Sequence, residues 1–103
     1  VSHAVQTVVE GAGFGVIREF VGHGIGRSLH EDPQIPNFGP PDRGPMMQVG
    51  MTFAIEPMTS MGSYEVRILK DGWTAITRDG SLAAHFEHSV ALTENGVLIL
   101  SRL

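Results

Sequence analysis

Five histidines and eleven acidic residues in a chain of 103 raise the question of which of them could converge. His23 stands in Gly22-His23-Gly24-Ile25-Gly26, where small neighbours let an ion or a substrate approach the imidazole. Glu56 lies within Met51-Thr-Phe-Ala-Ile-Glu-Pro-Met. A carboxylate in so apolar a stretch is costly to bury unless a cation or a donor receives it. The alternative is an edge position facing solvent, which Pro57 favours. Glu87 repeats the pattern in Ala83-Ala-His-Phe-Glu-His-Ser-Val-Ala-Leu. Strand alternation there puts His85 and Glu87 on one face, with Phe86 and His88 on the other. One imidazole and two carboxylates make a ligand set suited to Mn, Fe(II), Co or Zn. His3, on the polar side of a helical repeat, reads instead as a solvated surface residue.

Those residues need elements to hold them. Val1, Ala4, Val5, Val8, Val9 and Ala12 recur at helical spacing, and Gly11 and Gly13 end the pattern. After this one amphipathic helix the chain reads as strands and loops. Phe14 to Phe20 is β-rich and leads into the glycine-flanked His23. Arg27 to Pro45 is expected to be a loop, since Pro33, Pro36, Pro40, Pro41 and Pro45 oppose regular structure. Met51 to Met58 is expected to be one strand. Tyr64–Leu69 and Trp73–Arg78 make a hairpin through Lys70-Asp71-Gly72, and Leu82–Thr93 and Val97–Arg102 make another through Glu94-Asn95-Gly96. The expected class is α+β, with a mostly antiparallel sheet and one N-terminal helix. One helix is too little to cover such a sheet, so a second copy or a further layer should complete it.

Composition narrows the function. A net charge of −4, with seven scattered basic residues, excludes a dedicated nucleic-acid surface. No apolar run approaches the roughly 20 residues needed to cross a bilayer, so no membrane partner is expected. With no cysteine there are no disulfides and no thiolate ligands, and any metal must be held by nitrogen and oxygen. A cytoplasmic location is compatible with this.

In order along the chain, Gly22-His23-Gly24-Ile25-Gly26, His30-Glu31-Asp32-Pro33, Gly50-Met51-Thr52-Phe53-Ala54-Ile55-Glu56-Pro57-Met58, Lys70-Asp71-Gly72-Trp73 and Phe86-Glu87-His88 resemble the type I methionine aminopeptidases. The resemblance covers essentially the whole chain. It implies the pita-bread fold, two related α+β halves around a pair of metal ions, with residues 1–103 as the C-terminal half of the catalytic domain. It implies that His23 and Glu56 are terminal metal ligands and that Glu87 bridges both ions. His30 and Glu56 are the implied catalytic residues, with His30 on the substrate carbonyl and Glu56 receiving a proton from the attacking water. Leu29 and Trp73 join His30 as implied substrate-binding residues around the methionine side chain.

The implied cofactors are two divalent ions (Mn, Fe, Co or Zn) in the whole enzyme, and one or none in this chain alone. The implied partners are the N-terminal methionine of nascent polypeptides, in proximity to the ribosome, and an N-terminal half. That half carries two aspartate ligands and another catalytic histidine, roles not transferred to Asp32, Asp42, Asp71 or Asp79. The isolated chain is therefore expected to show little activity. Leu29 stands where the family often has an aromatic residue, and His85 where glutamine is usual. The competing readings are a proline-specific peptidase of the same fold and a non-catalytic pita-bread binding module. Proline-specific relatives carry Arg-Ile-Glu-Asp where this chain has His85-Phe86-Glu87-His88.

Overall fold

The first apolar repeat forms helix α1 (Ser2–Gly11) in the computed structural model, which describes all of Val1–Leu103. The helix stops where Gly13 adopts a left-handed φ of 88° and the Ala12 and Gly13 amides close onto carbonyls of the last turn. None of its residues is buried. Its apolar stripe, expected to face a core, is only partly covered, by β1 (Gly15–Val16). The extended segment expected over Phe14–Phe20 thus pairs over two residues only. Ile17 adds one bond, its amide donating to the Met58 carbonyl at 3.0 Å. Arg18 then turns outward, its guanidinium between the Phe38 and Tyr64 rings at 4.9 and 4.1 Å.

The remaining strands are β2 (Gly22–Gly24), β3 (Glu31–Ile35), β4 (Thr52–Ile55), β5 (Met58–Ser60), β6 (Val66–Ile68), β7 (Ala75–Thr77), β8 (Ala83–His85), β9 (His88–Thr93) and β10 (Gly96–Ile99). Every pairing is antiparallel. Five strands form one sheet in the order β10-β9-β4-β2-β3, three form β1-β5-β8, and β6-β7 stands as a separate ribbon. The α+β expectation holds, as do both turn assignments. Gly72 (φ 71°) sits in the β6–β7 turn and Gly96 (φ 111°) closes the β9–β10 turn.

Three expected boundaries do not hold. The 27–45 segment contains β3, proline included. Gly22 faces Ile35 and His23 faces Gln34, yet Gly24 faces Glu31, so Asp32 and Pro33 are extra residues in a bulge. A bulge on the sheet's outer strand asks no ladder donor of Pro33, which is why the proline is tolerated. The 51–58 strand is two strands, β4 and β5, parted at Glu56-Pro57. The 82–93 strand is likewise two, β8 and β9, parted at Phe86-Glu87. The breaks lie side by side: Ile55 pairs with His88 on one side of them and Met58 with His85 on the other. Pro57 has no amide to give, while its carbonyl accepts from the Phe86 amide at 3.2 Å. Two neighbouring strands thus leave the five-stranded sheet together and enter the three-stranded one.

Ile35, Phe53 and Val90 form the core, with Met47, Met51, Ile55 and Leu92 packed around them. Only ten residues are buried. The accessible surface is 7299 Å², against roughly 5,700 Å² for a free-standing domain of this mass. The radius of gyration, 14.5 Å, also exceeds the about 13 Å of a compact chain this long. Much apolar surface is left uncovered, as one helix over so much sheet requires. No helix is long and apolar enough to cross a membrane.

Candidate metal centre

The paired breaks create a place where side chains from two sheets meet. His23 lies on β2 opposite Ala54, one pair from where β4 runs out into Glu56. Its flanking glycines make room for neighbouring strands. A Cβ at Gly22 would sit 2.2 Å from the Ala54 carbonyl oxygen, and one at Gly24 would sit 2.4 Å from that of Asp32. The glycines therefore draw β3 and β4 in around the histidine, and the bulge opposite Gly24 aims it. The hydroxyl of Thr52 on β4 also donates to the Ile25 carbonyl, fixing the end of β2.

Glu56 divides its carboxylate between two imidazoles. Oε1 is 3.1 Å from Nε2 of His23, and Oε2 is 3.4 Å from Nε2 of His85. The His23 and Glu56 side chains are only 12% and 14% exposed. Glu87 completes the cluster, with one ligand atom each from His23, Glu56 and Glu87 lying within 4.8 Å of one another. The strand break sets Glu87 there, and the expected alternation across residues 85–88 is interrupted at that point. His23 Nδ1 lies 3.0 Å from the Gly24 carbonyl, which can only accept, so this nitrogen carries the hydrogen. Nε2 is the nitrogen left facing the Glu56 carboxylate. The donor set of one nitrogen on β2 and two carboxylates in the strand breaks is of a kind that suits a divalent ion.

His30 reaches the same place from the loop before β3. Its ring centroid is 3.9 Å from that of His23, with the planes 34° apart. An open groove beside them is lined by Gly22, His23, His30, Glu31, Asp32 and Gln34. Leu29 and Trp73 are not brought in: they are 70% and 87% exposed, and Trp73 stands on the β6–β7 turn. His3 is exposed, as expected, and its Nδ1 lies 3.1 Å from the Gly39 carbonyl.

Asp71 and Asp79 are engaged elsewhere. The Thr74 hydroxyl and amide, then the Trp73 amide, hold the Asp71 carboxyl below its ordinary range. The Ser63 and Ser81 amides do the same for Asp79. Asp32 sits in the β3 bulge rather than in a loop. The sequence reading missed Glu31, whose carboxylate accepts from the Ser28 amide at 2.8 Å. The Ser28-Leu-His-Glu31 spacing, a serine with glutamate three residues on, was the signal available.

Comparison with known proteins identifies a family and a fold. The model of metallopeptidase family M24 matches residues 1–94. Methionine aminopeptidase 1 of Bacillus subtilis (strain 168) is 56% identical over 103 residues, which is 100% of this chain and 42% of that protein. The methionine aminopeptidase of Clostridium perfringens is 57% identical over 101 residues, covering 98% of this chain and 41% of that one. The crystal structure of the Thermotoga maritima methionine aminopeptidase superposes with a TM-score of 0.95 at 58% identity, over 99% of this chain and 41% of that one. The Rickettsia prowazekii enzyme gives 0.94 at 41% identity, over 98% and 41%. The chain spans about two fifths of the length of the relatives it matches.

Proposed function

Because this chain belongs to metallopeptidase family M24 and carries the second part of the pita-bread fold, we propose that it is the C-terminal half of a catalytic domain that removes the N-terminal methionine from peptides and nascent proteins. The observation that carries the reading is the meeting of His23, Glu56 and Glu87 at the paired strand breaks. It is supported by relatives named methionine aminopeptidase at 56% and 57% identity.

In this reading His23, Glu56 and Glu87 would hold the ions, together with two aspartates from an N-terminal half. Two divalent ions of Mn, Fe, Co or Zn, when bound, supply the Lewis acidity that makes water nucleophilic near neutral pH. Glu56 receives the proton of the attacking water, on an oxygen directed into the site while the other faces His85. His30, stacked beside His23, donates to the scissile carbonyl oxygen as negative charge gathers there. Leu29 and Trp73 become walls of the methionine pocket when the other half covers them. Such coverage also answers the exposed apolar surface. The enzyme so formed acts in the cytoplasm, close to the ribosome.

The test is hydrolysis of a Met-Ala-Ser peptide under added Mn²⁺ or Co²⁺, by this chain alone and by the chain co-expressed with a first half from a type I enzyme. Little turnover alone and clear turnover when paired is expected. Robust turnover by the chain alone would sink the half-site view. Cleavage of Ala-Pro peptides in preference to Met-Ala-Ser would move the assignment to the proline-specific reading.

A further inference from the structure

His30 comes to the side of His23 from an exposed loop with no packing of its own, so something else must hold it there. After Ile25 the chain turns back sharply, the Gly26 amide donating to the Ser28 carbonyl at 3.1 Å. Leu29 and His30 are both exposed. The Glu31 side chain, at the start of β3, folds back over this turn. Its Oε2 accepts from the Ser28 amide at 2.8 Å. Its carboxyl group also packs onto Gly26, where a Cβ would lie 2.5 Å from Oε1, 2.7 Å from Oε2 and 2.9 Å from the carboxyl carbon. Gly26 has no positive φ to explain it, so the residue's role here is space. In a helix the same serine-to-glutamate spacing closes the first turn. Here no helix follows, and the device closes a loop that contains His30.

We infer that Glu31 is the positioning residue for His30: by tying the Ser28 amide and filling the space over Gly26, it holds the loop so that the His30 ring rests against His23. The catalytic consequence rests on the function proposed above; the tie itself does not.

Both are separable by experiment on the full chain. The ring resonances of His30, read by NMR at fixed pH, carry the ring-current shift of His23 beside it. Glu31→Leu, which removes the acceptor, should move them to the values of a free histidine. Glu31→Gln, which keeps an acceptor oxygen, should leave them where they are. Should Glu31→Leu unfold the chain, Gly26→Ala decides. Its methyl displaces only the far end of a flexible side chain, so the remaining spectrum should stay dispersed while His30 is released. An unchanged His30 signal in Gly26→Ala, or in folded Glu31→Leu, overturns the inference. In the paired, active enzyme Glu31→Leu should lower kcat about tenfold with KM nearly unchanged, and Glu31→Gln should restore it. If no peptidase activity is found, the functional reading fails while the NMR result still decides the tie. A shifted His30 with kcat unchanged keeps the tie and removes His30 from the mechanism.

Discussion

The seam between the two larger sheets and the β6–β7 ribbon are both antiparallel, yet they hold their notable side chains in opposite ways. At the seam, His23, Glu56 and Glu87 come from positions far apart in sequence and meet only because β2, β4 and β9 pair in a given register. In the ribbon, Asp71 fixes the turn by itself, accepting from the Trp73 amide at 2.9 Å, the Thr74 amide at 2.8 Å and the Thr74 hydroxyl at 2.5 Å. The turn is closed by these three bonds while the indole it carries stands in solvent. Long-range pairing gathers donors from three strands and their breaks; local bonding holds one side chain out into solvent.

Substitutions should separate the two regions sharply. Phe53→Ala, in the core beneath the seam, is expected to cost about 3–5 kcal/mol in urea unfolding. Because Phe53 shares β4 with the approach to Glu56, ion binding should fall with it. A stability unchanged by Phe53→Ala would mean that the seam does not depend on that core. Next in size, Glu87→Gln should weaken Mn²⁺ binding by the chain paired with a first half by about a hundredfold, seen by calorimetry, with little change in the fold. An affinity equal to the parent's would take Glu87 out of the centre. Trp73→Ala should shift stability by no more than about 0.5 kcal/mol, as for other exposed positions. A larger loss would show the indole packed in solution.

The smallest effect is one of pH. Asp71 is held below its ordinary value of 3.8 in the folded chain. Its contribution is therefore full above that value and lost as pH falls through the lowered folded one. As pH falls below 3.8, the Trp73 and Thr74 amide resonances should move toward turn-free positions. Asp71→Ala should bring that state about at neutral pH, and matching spectra for parent and variant near pH 5 would contradict it.

The features legible in the sequence were those encoded locally. The helix and both turns follow from spacing and from glycines at Gly72 and Gly96 that must take positive φ. The carboxylates of Glu56 and Glu87 stood out because apolar strands rarely carry a charge without a partner. What escaped was non-local. Pro33 argued against a strand until the bulge opposite Gly24 relieved it of any ladder bond. The breaks at Glu56-Pro57 and Phe86-Glu87 look like continuous strands when each is read alone; only their adjacency makes a crossing between sheets. The nearness of His30 to His23 followed from the family resemblance, since nothing in their spacing across the loop requires it.

The crossing has a consequence for folding. A one-residue slip in either the β2–β4 or the β4–β9 ladder turns a ligand to the opposite face, so the three donors agree only in the native alignment. A cation held by all three would lower the free energy of that alignment and of no slipped one, by an amount growing with its concentration over its dissociation constant. A cation bound there would thus favour the native alignment of strands this short.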